Sequence, residues 1–129
     1  MLRKLLNILL AITGILAIVF VVSVFLPADY SVRRSVEIDA KPSEIYPYLD
    51  TIRHWTRWSV WSERVDTSIM IAYRGSRHGS GATMMWYGKL KGSGQLEITI
   101  SQPDTLMKYY MTLEDEHFQS SGYIRLKPR

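Results

Sequence analysis

The chain has 129 residues, a net charge of +4 and no cysteine, so it has room for one small domain beside a targeting or anchoring segment. From Pro27 onward it carries fourteen basic and twelve acidic residues, a charge of only +2, and the basic residues are spread along the chain. This balance argues against a nucleic-acid-binding surface and against an anionic-lipid patch. The absence of cysteine excludes disulfides and zinc–thiolate sites.

The strongest pattern is an apolar run at the N-terminus. Leu5 to Leu26 contains 22 residues without a charge, enough for a helix to cross the bilayer hydrocarbon core of about 30 Å. A cleaved signal peptide has a shorter apolar region followed by small residues, whereas the bulky Leu26 stands here where a small residue is expected. The run therefore predicts an uncleaved membrane anchor.

This anchor divides the chain into two predicted domains, residues 1–27 and residues 28–129. Arg3 and Lys4 precede the apolar run and favour a cytoplasmic N-terminus with the second domain exported. The opposite orientation stays open, because three basic residues follow the run closely: Arg33, Arg34 and Lys41.

The first elements after the anchor are one strand and two short helices. Alternating apolar residues predict a strand over Tyr30–Asp39. Lys41-Pro42-Ser43-Glu44 begins a helix that runs to about Ile52, with Pro47 expected to kink or shorten it. A second helix is predicted over His54–Ser62, where three tryptophans recur every third residue and share one side: Trp55, Trp58 and Trp61.

The remaining chain has the pattern of an antiparallel meander. Short runs with two-residue alternation are separated by turn-forming residues. The predicted strands are Ile69–Tyr73, Thr83–Lys89, Gly94–Ser101, Leu106–Leu113 and Ser120–Leu126. The predicted turns are Gly75–Gly81, Leu90–Ser93, Gln102–Asp104 and Glu114–His117.

This succession of elements indicates an α+β fold, in which two short helices cover little of a five- or six-stranded sheet. A ligand, the membrane or another chain is expected on the remaining apolar face.

A set of spaced residues resembles the membrane-anchored branch of the START-like (SRPBCC) superfamily of polyketide cyclases, dehydrases and lipid-transport proteins. The resemblance extends from the anchor to about residue 127. It rests on Phe25-Leu26-Pro27, Tyr30, Arg34-Ser35-Val36-Glu37-Ile38-Asp39-Ala40, Pro42, Ile45-Tyr46, Ile52-Arg53-His54-Trp55, Trp58-Ser59, Trp61, Tyr73, Gly81-Ala82, Trp86, Gly92-Ser93-Gly94 and Ile98.

The resemblance implies a helix-grip fold, in which an antiparallel sheet curls around a long C-terminal helix and encloses an apolar cavity. This sequence departs from that pattern, since the final strand and the long helix are missing. We therefore expect a C-terminally incomplete domain whose cavity is open.

Aromatic and methionine residues are abundant and predict the lining of such a cavity. Large polarizable side chains suit a hydrophobic small molecule or a lipid. For any single residue, an ordinary core position is the alternative. The predicted ligand-binding residues are Trp58, Trp61, Tyr73, Met84, Trp86, Ile98, Tyr109 and Met111.

Catalysis finds little support in the sequence, and no cofactor, metal site or catalytic residue is assigned. The histidines lack a metal-ligand spacing, and Gly79-Ser80-Gly81 leads into a strand where a nucleophile elbow needs a helix. A cyclase or dehydrase remains one alternative, with Tyr73, Arg74 and Tyr109 as its candidates for proton transfer. A protein-interaction module with an open sheet face is the other. The sequence leaves the oligomeric state open.

Overall fold

The structure is a computed structural model that describes residues 1–27, 29–113 and 118–128. The chain forms two compact units, residues Met1–Glu37 and Ile38–Arg129. The first contains one long helix, and the second contains two short helices and a five-stranded sheet. The architecture is thus α+β with an N-terminal apolar helix, as the sequence predicts.

Helix α1 spans Leu2–Phe25, three residues longer at its start than the apolar run. At 1.5 Å per residue it measures roughly 36 Å, which is long enough to cross a membrane. Its side chains are exposed all round. Its two hydroxyl groups donate hydrogen bonds to carbonyl groups of the same helix, Thr13 to Leu9 at 2.9 Å and Ser23 to Phe20 at 2.7 Å.

The predicted strand over Tyr30–Asp39 is not formed. These residues are exposed and have neither helical nor strand structure. Alternation is only a local pattern, and a strand also needs a neighbouring strand to accept and donate its backbone hydrogen bonds. The two units are therefore joined by a stretch without regular structure.

Helix α2 spans Pro42–Asp50, close to its predicted range. Pro42 occupies the first turn, and the Glu44 carboxylate accepts a hydrogen bond from the Lys41 N–H at 2.8 Å. Pro47 lies inside the helix, which ends three residues later. This agrees with the shortening that proline is expected to cause.

The second predicted helix is shorter than expected and is split. A 3₁₀ turn at Ile52–His54 leads into helix α3, which spans only Trp55–Trp58. The prediction that three indoles share one side of this helix is wrong for Trp61, because that residue lies beyond the helix end. Its ring packs instead on Trp86 with a centroid distance of 4.6 Å.

The five strands confirm the predicted meander. They are β1 (Met70–Arg74), β2 (Thr83–Gly88), β3 (Gly92–Gln102), β4 (Leu106–Leu113) and β5 (Phe118–Arg125). Each pairs antiparallel with the next, in the order β1-β2-β3-β4-β5. The predicted turn Glu114–His117 lies outside the described residues, and β5 begins two residues before its predicted start.

The core lies on one face of this sheet, which we call the inner face. Helix-derived Leu49, Ile52 and Trp55 pack there against buried side chains from the strands. The strand and loop contributions to the buried core are Ile69, Ala82, Met84, Trp86, Leu96, Ile98 and Met107. A register shift between Ile98 and Ile100 brings Ser101 opposite Met107. Ser101 thereby reaches α2, where it donates a hydrogen bond to the Asp50 carboxylate.

A buried carboxylate fastens the loop before β1 to the β2–β3 hairpin. Asp66 is 1 % exposed. Its Oδ1 accepts hydrogen bonds from the Ser68 N–H and hydroxyl, and its Oδ2 accepts from the Leu90 and Lys91 N–H groups at 2.9 and 3.2 Å. The Ser68 hydroxyl, helped by these backbone donors and opposed by burial, lowers the pKa of Asp66 from its ordinary 3.8 to about 2.

We expect Asp66→Asn to lower the free energy of unfolding at pH 7, because either amide orientation turns an NH₂ group towards hydrogen-bond donors. These are the Ser68 N–H and hydroxyl on one side and the Leu90 and Lys91 N–H groups on the other. The folded-state pKa lies below the ordinary value, so in the wild type this stabilisation is complete above about pH 5 and is lost as the pH falls from about 4 towards 2. Urea unfolding of the detergent-solubilised chain, followed by tryptophan fluorescence, measures both effects.

The matched control is Asp29→Asn, which changes an exposed carboxylate outside the sheet unit. It should leave the stability and its acid dependence unchanged. An Asp66→Asn variant that keeps the wild-type acid profile would contradict the assignment.

Candidate functional site

The eight predicted ligand-binding residues occupy three environments. Met84, Trp86 and Ile98 are fully buried core residues. Four others are partly buried against that core: Trp61, Tyr73, Tyr109 and Met111. Trp58 is 45 % exposed and packs its ring on Trp55 at a centroid distance of 4.7 Å. The structure therefore brings seven of the eight into one cluster and leaves Trp58 at its edge.

The inner face is covered unevenly by the short helices. Trp55 packs edge-on against Tyr109, with ring planes at 82° and centroids 5.5 Å apart. Farther along β4, Met111 and Leu113 are only partly buried, and Phe118, paired with Leu113 across the β4–β5 ladder, is 52 % exposed. We call the incompletely covered apolar surface the β4–β5 strip, defined by Tyr109, Met111, Leu113, Phe118 and Ile124.

Sequence reasoning missed three members of this strip: Leu113, Phe118 and Ile124. Leu113 was within reach, because it continues the alternation of Met107, Tyr109 and Met111 on one face of β4. Phe118 and Ile124 become neighbours of these residues only through the β4–β5 register. The choice by residue type alone also favoured Met84 and Trp86, which are fully buried.

The strip has a notch at Gly122. This residue pairs with Tyr109, and a Cβ atom at position 122 would lie 2.4 Å from Cζ and from the hydroxyl oxygen of that tyrosine. The Tyr109 ring therefore lies across the β5 backbone at the one position that has no side chain. A surface depression of about 300 Å³ also includes Tyr109 and Gly122, but it opens on the outer face of the sheet, where Lys108, Tyr110, Ser121 and Tyr123 line it.

Indole N–H groups in this region mostly bind the protein itself. Trp55 donates to the Leu49 carbonyl at 2.8 Å and Trp58 to the Tyr48 carbonyl at 3.1 Å, so both indoles satisfy carbonyl groups near the end of α2. The buried Trp86 Nε1 has no hydrogen-bond partner among the described residues. Two of the four indoles thus have a structural partner and need no ligand.

Tyr73 lines a separate groove beside α3. The Arg53 guanidinium lies 4.3 Å from the centre of the Tyr73 ring, a cation–π contact. Burial raises the pKa of Tyr73, although the Arg53 charge and a hydrogen bond with Thr56 oppose this. The phenol therefore keeps its proton at neutral pH.

The candidate residues for proton transfer do not converge. Tyr73 and Arg74 are consecutive in β1 and point to opposite faces of the sheet, with Arg74 exposed on the outer face. Tyr109 belongs to β4, three strands away in the sheet order. Among the described residues, no group of three His, Cys, Asp or Glu side chains is placed to hold a metal ion.

A hydroxyl–carboxylate cluster elsewhere also lacks a catalytic arrangement. Asp50 accepts hydrogen bonds from Tyr46, at 3.1 Å, and from Ser101, and its other oxygen lies 3.7 Å from His78 Nδ1. In a nucleophilic triad the histidine stands between serine and carboxylate. Here the carboxylate stands between the other two, so the cluster fastens α2 to β3 and to the β1–β2 loop.

We expect Gly122→Ala to destabilise the sheet unit by about 1–3 kcal/mol, the usual cost of overpacking, because the added methyl displaces the Tyr109 ring. The control Ser121→Ala changes the neighbouring exposed residue and should alter stability by less than about 0.5 kcal/mol. Urea unfolding midpoints distinguish the two variants. Equal stability of Gly122→Ala and wild type would show that the ring moves freely.

Comparison of the chain with protein-family models, with curated proteins and with solved structures finds no match. The ligand-binding role of the eight residues thus stays a prediction from the sequence.

Proposed function

We propose that this protein is a single-pass membrane protein and that its second domain has a START-like, helix-grip fold. We propose further that this domain binds a hydrophobic small molecule or a lipid. The observation that carries the proposal is the β4–β5 strip. Five apolar side chains are held side by side on the inner face, and the helices cover them only in part. Contiguous apolar surface of this kind is typical of ligand or partner sites.

The chemistry of the strip supports a small apolar ligand. Met111 is flexible and polarizable, and its neighbours supply aromatic and branched aliphatic surface. The buried Ile98 pairs with Tyr109 and lies beside the strip on β3, and Met84 and Trp86 lie farther along the same face on β2. A bound molecule would gain about 25 cal/mol for each Å² of apolar surface removed from water.

A protein-interaction module is the second candidate, favoured by one further observation. Strand β5 is the last strand of the described sheet, so one side of its backbone is unpaired next to the strip. A partner chain could add a strand there and cover the apolar side chains at once. A retained polypeptide in place of a retained small molecule would favour this second function.

We expect native mass spectrometry of the detergent-purified chain to detect a co-purified apolar molecule. Met111→Gln should reduce its occupancy about tenfold, because an unpaired amide in an apolar site costs about 1–3 kcal/mol. The matched control Met70→Gln alters a methionine that is 69 % exposed on the outer face of β1 and should have no effect. Repeated preparations without ligand, or equal loss in both variants, would contradict the proposal.

The membrane part of the proposal places the N-terminus in the cytoplasm and the sheet unit outside. Because the chain has no cysteine, single substitutions Leu2→Cys and Leu90→Cys provide unique labels. Leu90 is 74 % exposed in the β2–β3 hairpin. A membrane-impermeant maleimide applied to intact cells should label Leu90→Cys and spare Leu2→Cys, and the reverse pattern would invert the topology.

A further inference from the structure

The indole of Trp86 carries an unpaired hydrogen-bond donor inside the sheet unit. Trp86 is completely buried on β2, and its Nε1 has no hydrogen-bond partner among the described residues. Buried polar atoms are normally paired, because an N–H group that leaves water without gaining an acceptor costs free energy. Trp55 and Trp58 avoid this cost by donating to carbonyl groups. The Trp86 N–H needs an acceptor that the described part of the chain does not supply.

The edge of this indole that carries Nε1 lies next to the β4–β5 strip. Trp86 pairs with Gly94 in the β2–β3 ladder, and Gly94 pairs in turn with Leu113 on β4. A Cβ atom at position 94 would lie 2.6 Å from Trp86 Cζ2 and 3.0 Å from Leu113 Cδ2. The indole therefore reaches across β3, over a residue without a side chain, and meets a member of the strip. Cζ2 and Nε1 are bonded to the same ring atom, so the unpaired donor belongs to this edge.

Apolar side chains cover the indole on the sides away from the strip. The Trp61 ring packs on it with centroids 4.6 Å apart, and Ile71 is its partner in the β1–β2 ladder. Leu113, in contrast, ends β4 and is only partly buried. Partly exposed side chains change rotamer readily. The strip is therefore the side from which an acceptor atom can reach Nε1.

The strip carries no charged side chain. The residues that β4 and β5 place on the inner face are Met107, Tyr109, Met111, Leu113, Phe118, Ser120, Gly122 and Ile124. The charged residues of these two strands, Lys108 and Arg125, alternate with them and belong to the outer face. A charged ligand group would lose its hydration on the strip without gaining a partner of opposite charge. The surface therefore suits an uncharged molecule.

We infer that the β4–β5 strip binds an uncharged apolar molecule with a hydrogen-bond-accepting oxygen, such as the carbonyl of a ketone, an ester or a quinone. The oxygen lies at the Leu113 end of the strip and accepts a hydrogen bond from Trp86 Nε1 once the Leu113 side chain turns aside. Binding then covers apolar surface and pairs the buried donor together. This inference rests on the proposed function and names the class of its ligand.

The test compares three probes on the detergent-solubilised full chain. They are methyl nonyl ketone, the alkene in which a methylene group replaces the ketone oxygen, and undecanoate, which is ionised at neutral pH. The alkene has the shape of the ketone without its acceptor. The chain is incubated with equimolar pairs of probes and desalted, and gas chromatography of the extract gives the ratio of the bound probes. Dividing by the ratio in protein-free micelles removes the contribution of the detergent.

We expect the corrected ratio to favour the ketone over the alkene about tenfold, as is typical for pairing a buried donor. The ketone should also exceed undecanoate, because no cationic side chain of β4 or β5 faces the strip. Trp86→Phe removes the donor, so its corrected ratio of ketone to alkene should fall to about one. The matched control Tyr87→Phe removes a hydroxyl from the next residue, which is 52 % exposed on the outer face of β2, and should keep the wild-type ratio. Urea unfolding verifies that each variant is folded.

A measurement on the wild type keeps the inference testable even if Trp86→Phe does not fold. With ¹⁵N in the indole nitrogens, the four tryptophans give separate N–H signals in an NMR spectrum. The ketone should move one of these signals downfield, because a new hydrogen bond deshields the proton, and the alkene should leave that signal in place. A spectrum without any ketone-specific shift would contradict the inference.

The outcomes separate this inference from the proposed function. Equal binding of the ketone and the alkene overturns the inference and leaves apolar binding intact. A preference for the ketone that persists in Trp86→Phe overturns the role of the indole N–H. Tighter binding of undecanoate than of the ketone overturns the uncharged class of ligand. Binding of none of the three probes overturns both the inference and the proposed function.

Discussion

The packing of three short helical turns on a five-stranded sheet governs this structure. An antiparallel sheet with one apolar face must bury that face, yet α2 and α3 contribute only nine and four residues. Large side chains compensate in part, since Trp55 reaches Tyr109 on β4 and Trp61 covers Trp86 on β2. The helical segments and their side chains do not extend over the end of β4, where Met111 and Leu113 are only partly buried. The incompletely buried strip follows from this shortage of helix.

Much of the sheet was predictable because its information is local. Two-residue alternation and glycine-rich turns placed five strands within about two residues of their observed positions. The same local reasoning failed at Tyr30–Asp39. Apolar residues alternate there, but none of the described strands pairs with this segment. It also failed at Trp61, because a three-residue spacing does not reveal that the helix has already ended at Trp58. Strand pairing and helix termination depend on contacts that a sequence pattern does not encode.

The candidate site was predictable in its composition and less so in its geometry. Residue type selected Met84, Trp86 and Ile98, which the structure buries on the inner face, because alternation cannot distinguish a covered position from an open one. The groove beside α3 was missed for a related reason. Ser62, Arg64 and Tyr73 line it together only after the chain turns back from α3 into β1.

Within the described sheet, the unpaired side of β5 has a consequence for contacts between separate copies of the chain. The strand contains one charged residue, Arg125, at its last position, and no proline. Edge strands usually carry such residues to prevent joining of sheets from different molecules. Chains with this edge exposed are therefore prone to pair through it into aggregates.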